Sequence, residues 1–216
     1  MKGIGAKMKT YIFGDKRAEA VLVQAVDAHD FSMIERQTEL IKSISGREDF
    51  AVAAVLVDSW NDDLSPWAAP AVFGKDGFSG GGERTLNFVL GDVLPRFDGK
   101  RRFYIGGYSL AGLFSLWAAS KTCVFSGVAA ASASVWFPDF VGYIDKNPIL
   151  SNRVYLSLGD KEEKTKNPTM ATVGDAMRSI YAKISRRAEC VLEWNEGNHF
   201  RDPELRTAKG FSWLIK

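Results

Sequence analysis

The predicted fold depends on one stretch, Phe103-Tyr104-Ile105-Gly106-Gly107-Tyr108-Ser109-Leu110-Ala111-Gly112, where a strand pattern passes directly into a helix pattern. Residues 103–108 predict a strand and residues 109–121 a helix. A serine at so sharp a turn has a strained backbone and an exposed hydroxyl, and the residues two before and two after it must be small. Gly107 and Ala111 meet this requirement, although Ala111 departs by one methyl group from the Gly-x-Ser-x-Gly pattern.

Ser109 is therefore a candidate nucleophile. The N-terminus of the helix that follows offers free backbone N–H groups and a partial positive charge, which suit a developing oxyanion. The alternative is that Ser109 only caps this helix, since serine is among the preferred N-cap residues. A strand before the serine and an apolar helix after it favour the nucleophile.

Strands and helices alternate along the rest of the chain. Strand-length apolar runs cover 20–26, 50–57, 127–131, 153–158 and 190–194, and helical spacing covers 31–45, 169–186 and 202–214. This alternation predicts an α/β fold, with a mostly parallel sheet and helices on both of its faces. At 216 residues, one domain over 1–216 is the economical interpretation.

The composition excludes several classes of protein. Hydrophobic residues make up 46% and charged residues 25%, as in globular proteins. The net charge of +2 comes without a basic stripe, so we expect no nucleic-acid partner. No apolar stretch reaches the roughly 18 to 20 residues of a membrane helix, so we expect no membrane partner. Cys123 and Cys190 form neither a metal-ligand spacing nor a disulfide framework, and we expect no metal.

The N-terminus begins Met1-Lys2-Gly3 and has no apolar signal core after it, which predicts a cytoplasmic protein. We expect residues 1–9 to be a flexible or extraneous segment. Met8 is an alternative start, because Met8-Lys9-Thr10-Tyr11 opens directly into an apolar segment.

A serine nucleophile needs a base, and histidine suits neutral pH. The chain has two histidines, His29 and His199, and each follows a predicted strand at the sheet edge where Ser109 lies. Chain order favours His199, because in this architecture the acid and then the histidine follow the serine. The acid should lie after the strand between them, where Asp160, Glu162 and Glu163 are the choices. The residues alone leave that choice open.

The segment from Ser59 to Gly82 is a long loop that includes Trp60, Trp67 and the cluster Gly80-Gly81-Gly82. Loops of this length are usually functional, although this one could be a surface Ω-loop anchored by its tryptophans. The glycine cluster is a poor phosphate site, because no strand leads into it and no Gly-Lys-Ser/Thr follows. Together with Trp136, Trp60 and Trp67 are candidate walls of a substrate site; the alternative is core packing.

With serine, acid and histidine in this order, the chain resembles the α/β-hydrolase superfamily, from about Ala20 to the C-terminus. More narrowly, it is similar to the esterase group that includes esterase D, the feruloyl esterases and the enterochelin esterases. Three segments carry the resemblance: Gly107–Gly112, Leu158–Glu162 and Gly197–His199. It implies a minimal α/β-hydrolase fold without a separate lid domain, no cofactor, a small-molecule ester substrate and an acyl-enzyme mechanism.

The resemblance also implies roles for individual residues. Ser109 would be the nucleophile and His199 the base. Family members commonly place the acid three residues after a glycine that ends the strand, which selects Glu162 over Asp160.

The oxyanion donors would be the backbone N–H of Leu110 and one from the loop after Val23, which we assign to Val26. Many relatives have His-Gly or Asp-Gly in that loop, whereas this chain reads Gln24-Ala25-Val26-Asp27. Of the aromatic residues, Trp60 and Trp136 are the expected substrate contacts.

Overall fold

The computed structural model describes residues 8–216. The expected N-terminal extension falls largely on residues 1–7, which lie outside the described residues. Its last two residues belong to the fold instead, because Met8 is buried in the core and Lys9 begins the first strand.

A seven-stranded sheet forms the centre of the protein. The strands, in chain order, are β1 (Lys9–Gly14), β2 (Ala20–Val26), β3 (Phe50–Leu56), β4 (Ala68–Ala69), β5 (Phe78–Ser79), β6 (Arg102–Tyr108), β7 (Phe125–Ala131), β8 (Arg153–Gly159) and β9 (Glu189–Asn195). The main sheet has the order β1-β3-β2-β6-β7-β8-β9, and β4 and β5 form a separate small hairpin. All neighbouring pairs in the main sheet are parallel except β1 with β3. The predicted mostly parallel sheet is confirmed.

Helices cover both faces of the sheet, as predicted. They are α1 (Ala28–Phe31), α2 (Ile34–Ser45), α3 (Trp60–Leu64), α4 (Gly82–Phe88), α5 (Ser109–Lys121), α6 (Phe140–Lys146), α7 (Val173–Ile184) and α8 (Pro203–Ile215). On one face α2 and α8 contribute Ile41 and Phe211 to a buried core. On the other, α5 and α7 contribute Leu113 and Ile180. Because α5 is covered on all sides, every residue from Leu110 to Ala119 is buried.

Sequence analysis missed the edge strand β1. Its residues alternate only weakly between half-buried and exposed, since an edge strand has one neighbour and a partly solvated face. Of the helix predicted over 31–45, α2 covers Ile34–Ser45, and a separate short helix, α1, precedes it. Gly46 caps the end of α2 with a left-handed φ of 69°. Before α7, a short 3-10 turn covers Met170–Thr172.

The segment predicted as one long loop, residues 59–82, contains α3 and the β4–β5 hairpin. The three glycines that follow allow close backbone packing. A Cβ on Gly80 would lie 2.7 Å from the Ala68 nitrogen, and one on Gly81 would lie 2.7 Å from the Asp62 carbonyl oxygen. The buried carboxylate of Asp63 further stiffens the segment, because it accepts the N–H groups of Asp58 and Ser59 and pairs with Arg84. Side chains larger than hydrogen would not fit at these glycines.

The parallel strands place several loops at one edge. The carboxyl ends of β2, β6, β7, β8 and β9 lie together there, as parallel strands require. No helix within residues 8–216 is long and apolar enough to cross a bilayer.

Candidate active site

Ser109 occupies a strained turn at the start of α5. Its φ is 55°, in the left-handed region that non-glycine residues seldom adopt. A Cβ on Gly107 would lie only 2.6 Å from the Cβ of Ala111. A side chain at position 107 would therefore collide with the residue two positions after the serine. This geometry leaves the Ser109 side chain half-buried beside the N-terminus of α5.

Three side chains from different loops form a continuous hydrogen-bonded chain. The Oγ of Ser109 lies 3.0 Å from Nε2 of His199. On the other side of the ring, Nδ1 lies 2.7 Å from Oε2 of Glu162. The structure thus brings together the predicted nucleophile, base and acid, in the arrangement that allows an imidazole to take a proton from a hydroxyl.

The two carboxylates that sequence reasoning left open occupy different positions. Asp160 is exposed, and its Oδ1 accepts the backbone N–H of Gly197 at 2.7 Å, so it supports the loop that carries the histidine. Glu162 is buried against the His199 ring. The geometry therefore agrees with Glu162 as the acid.

Glu162 has further donors on its second oxygen. Oε1 accepts the Ser132 hydroxyl and the Gly159 N–H, both at 2.7 Å, and a guanidinium N–H of Arg206 at 3.0 Å. Burial by itself would raise the pKa of Glu162, but hydrogen bonding and the charge of His199, with the Ser132 and Gly159 donors, hold this pKa below its ordinary value. The carboxylate is therefore ionised when it faces the imidazole.

Three residues that the sequence did not single out contact this hydrogen-bonded chain. Ser132 and Arg206 donate to Glu162, and the Oγ of Ser134 lies 3.2 Å from the Oγ of Ser109. No motif singles out a serine in the Ala-Ser-Ala-Ser run or an arginine inside a helix. Only the meeting of β7, β8 and α8 at one edge reveals them.

The predicted oxyanion donors differ in their position. Leu110 is the second residue of α5, where a helix has N–H groups without intrahelical partners. The carbonyl of Val26, by contrast, accepts the N–H of Val57 from the β3 side. Because the N–H and C=O of one strand residue point the same way, the Val26 N–H faces β3 and not β6, which leads to Ser109. This geometry argues against Val26.

Asp27 is the better-placed second donor. The β2–β6 register ends with Gln24 opposite Gly106, and Asp27 and Ser109 each follow three residues later in their own segments. By alternation, the Asp27 N–H faces the β6 side, and it donates to no other group within residues 8–216. Asp27 is therefore a second candidate for this donor, beside the predicted Val26.

A cavity of about 270 Å³ lies beside the histidine ring. Its apolar walls are Trp136, Met170, Val173 and Phe200, and its polar lining includes Lys161, Lys164, Thr165 and Asn198. Trp136, a predicted substrate contact, thus shares this cavity with His199. Phe200, which sequence analysis missed, is 85% exposed and packs edge-on against His199, with 5.5 Å between ring centroids.

The other predicted tryptophans lie elsewhere. Trp60 lines a separate, open depression with Lys75 and Phe78, and not the cavity beside His199. The reason is that residues 59–82 fold back on themselves through α3 and the β4–β5 hairpin, so that Trp60 faces other residues of this segment. Trp67 packs against Phe137 and Tyr143. His29 is exposed on α1, and within residues 8–216 its side chain forms no hydrogen bond with Ser109, Glu162 or His199.

Comparison with known proteins identifies the fold. No protein-family model matches the chain, and no curated protein sequence does. Among solved structures, the siderophore hydrolase EstA from Aspergillus nidulans is 19% identical with a TM-score of 0.68, covering 96% of this chain and 93% of that one. An IroE-like serine hydrolase from Shewanella oneidensis is 14% identical with a TM-score of 0.77, covering 95% and 75%.

A ferulic acid esterase is 12% identical with a TM-score of 0.64, and the match covers 99% of this chain and 94% of that one. Such likenesses extend over nearly the whole of this chain and therefore concern the fold as a whole. The chain therefore has the α/β-hydrolase fold, as its sequence predicted.

Proposed function

We propose that this protein is a serine hydrolase that cleaves small carboxylic esters through an acyl-enzyme. One observation carries the proposal, namely the unbroken chain from Ser109 Oγ through the His199 ring to Glu162, with contacts of 3.0 and 2.7 Å. The hydroxyl of a serine is a weak nucleophile, even in a strained turn, until a base can accept its proton. Here the base is within reach, and its second nitrogen is held by a buried carboxylate.

The reaction proceeds in two halves. In the first, Ser109 Oγ attacks the ester carbonyl while Nε2 of His199 takes the hydroxyl proton, and the carbonyl oxygen becomes an oxyanion near the N–H groups of Leu110 and Asp27. The intermediate collapses, and the alcohol leaves with the proton from His199. In the second half, water gives its proton to His199, attacks the acyl-enzyme and releases the acid, and the proton returns to Ser109.

Glu162 orients the imidazole. It accepts a hydrogen bond from Nδ1–H, so that Nε2 presents its lone pair to Ser109, and it stabilises the imidazolium that forms in each half-reaction. The low pKa of this carboxyl supports the role, because a protonated acid could neither accept Nδ1–H nor balance the imidazolium.

The cavity beside His199 supports a small substrate. Its volume of about 270 Å³ lies just under the range usual for ligand pockets, and Trp136, Met170, Val173 and Phe200 give it an apolar wall. We propose that this cavity takes an apolar or aromatic group of the ester. The names of the similar structures, a siderophore hydrolase, a serine hydrolase and a ferulic acid esterase, favour the same chemistry.

The proposal is tested by labelling with a fluorophosphonate, which reacts only with an activated serine. We expect stoichiometric labelling at Ser109, hydrolysis of p-nitrophenyl acetate, and loss of both in Ser109→Ala, with kcat lower by on the order of 10⁴-fold or more. Ser115→Ala is a matched control, because Ser115 lies on the same helix and its hydroxyl bonds only to the Ala111 carbonyl.

The outcomes separate the alternatives. Ester hydrolysis that persists in Ser109→Ala would mean that the mechanism is wrong. Absence of both labelling and hydrolysis in the parent protein would indicate a non-catalytic domain that binds a ligand or partner. Labelling with greater turnover of acyl-CoA or peptide substrates would keep the nucleophile and change the reaction to thioester cleavage, acyl transfer or peptide hydrolysis.

A further inference from the structure

Arg206 is a buried cation beside the proposed triad. It lies in the first turns of α8, and only 2% of its side chain is exposed. One terminal nitrogen, Nη1, lies 3.0 Å from Oε1 of Glu162 and also donates to the Ser132 hydroxyl at 3.0 Å and the Tyr108 hydroxyl at 3.2 Å. The acid thus receives a charge-assisted hydrogen bond on the oxygen that faces away from His199.

The second terminal nitrogen holds the loop of the base. Nη2 donates to the carbonyls of Glu196 and Asn198, both at 3.1 Å, and Asn198 immediately precedes His199. The Tyr108 hydroxyl donates to the carbonyl of His199 at 2.6 Å. Burial raises the pKa of Tyr108 to about 12, so that the phenol keeps its proton and remains a donor. A single planar guanidinium therefore ties the acid to the loop of the base.

The charge of Arg206 has a consequence for proton binding. The Glu162 side chain is 4% exposed and lies between the guanidinium and the imidazole. Buried charges this close are screened little by water or salt. With Arg206 present, the negative charge of the Glu162 carboxylate is already balanced by the guanidinium. A proton on the imidazole therefore adds less stabilisation to the group of charges. Without it, the Glu162–His199 pair as a unit would hold a proton to higher pH.

Other charged or titratable groups also surround the pair. Lys161 and Lys164 line the same cavity as His199, Asp160 accepts the Gly197 N–H, Arg201 pairs with Glu196 and Asp202, and Asp30 and Glu204 share a crevice with Tyr108. None of them changes in the variants below. A change in proton binding between those variants therefore reports on Arg206.

We propose that Arg206 is a positioning residue that fixes Glu162 and the His199 loop together and whose positive charge opposes the binding of a proton by the imidazole. This inference rests on the proposed function, because an unprotonated imidazole matters only if His199 acts as a base. It predicts that the enzyme keeps its activity toward mildly acidic pH through a residue that never contacts the substrate.

The experiment is an NMR titration of the His199 imidazole in a His29→Gln background, which leaves His199 as the single histidine. We expect Arg206→Met to raise the titration midpoint by about one pH unit or more. The acid limb of the kcat/KM profile for p-nitrophenyl acetate should move with it. Arg206→Lys keeps the positive charge but loses the two-nitrogen guanidinium that joins Glu162 to the His199 loop. Its midpoint should therefore stay near that of the parent while kcat falls.

Arg153→Met is the control. Arg153 donates to the Leu214 carbonyl on the same helix at 2.8 Å, but it begins β8 at the end opposite to the site, so the midpoint should not change. An unchanged midpoint in Arg206→Met, or an equal shift in Arg153→Met, would overturn the proposal.

If Arg206→Met does not fold, the charge-balanced variant Arg206→Met/Glu162→Gln decides. The guanidinium also repels a protonated imidazole directly, so the midpoint of this double variant should lie above that of Glu162→Gln alone. Equal midpoints in the two variants would refute the assignment. The titration needs no turnover. A parent that hydrolyses no ester therefore contradicts the proposed function and leaves the result for Arg206 standing.

Discussion

The hydroxyl oxygens of Ser134 and Ser109 lie 3.2 Å apart, and the Ser134 N–H also donates to the Ser109 carbonyl at 3.0 Å. If Ser109 donates its proton to Nε2 of His199, then Ser134 must be the donor to Ser109 Oγ. A donor at this position stabilises negative charge as it develops on the attacking oxygen.

We expect Ser134→Ala to lower kcat/KM for p-nitrophenyl acetate by about 3- to 10-fold, the worth of one neutral hydrogen bond. The nucleophile and base remain, so labelling by a fluorophosphonate should be slower but complete. Ser115→Ala makes the same change in a buried serine of α5 and should have no effect. Equal rates for Ser134→Ala and the parent would show that the contact is only structural.

Glu162→Gln and Asp160→Asn separate the two carboxylates. Glu162→Gln removes the charge that faces Nδ1 and should lower kcat by about 10²- to 10⁴-fold, as loss of a triad acid does elsewhere. Asp160→Asn retains an oxygen that can accept the Gly197 N–H and should cost less than about 3-fold. Steady-state kinetics of p-nitrophenyl acetate hydrolysis measure both. Small and equal effects would mean that Ser109 and His199 work as a dyad.

Asp27→Pro tests the second oxyanion donor. Proline removes one backbone N–H, and Val26 before it is already extended, as a residue preceding proline prefers. We expect kcat to fall by about 10²- to 10³-fold, the usual cost of one oxyanion donor. Asp27→Ala is the matched variant, because it loses the cap on the Asp30 N–H, at 2.8 Å, but keeps its own N–H. If both variants lose activity equally, the cap and not the N–H is responsible.

Trp136→Ala should change acyl selectivity. It removes an aromatic wall of the cavity beside His199, so the ratio of kcat/KM for p-nitrophenyl octanoate to that for the acetate should rise by about 10-fold. The ratio is insensitive to any loss of folded enzyme. Trp60→Ala should leave it unchanged, since Trp60 lines a different depression. If the ratio changed as much in Trp60→Ala as in Trp136→Ala, the acyl group would not bind specifically in the cavity beside His199.

The sequence by itself determined six strands of the main sheet and the residue types that follow their ends. The apolar runs of β2, β3, β6 and β8 are visible because a strand buried on both faces is apolar throughout. The turn at Ser109 is visible because local sterics require small neighbours. That His199 and Ser109 share one edge follows from parallel strands. Their roles in catalysis stay predictions until they are measured.

Only the tertiary structure decided which atoms meet at that edge. Glu162 and Asp160 are two residues apart, and the fold of the chain after β8 turns one toward the imidazole and the other toward Gly197. The hydrogen bond from Val57 to Val26 directs the Val26 N–H toward β3 and not toward Ser109. The packing of α8 places Arg206 within hydrogen-bonding distance of Glu162. The physical reason is that such contacts depend on the register and direction of segments far apart in the chain, which no local pattern of residues encodes.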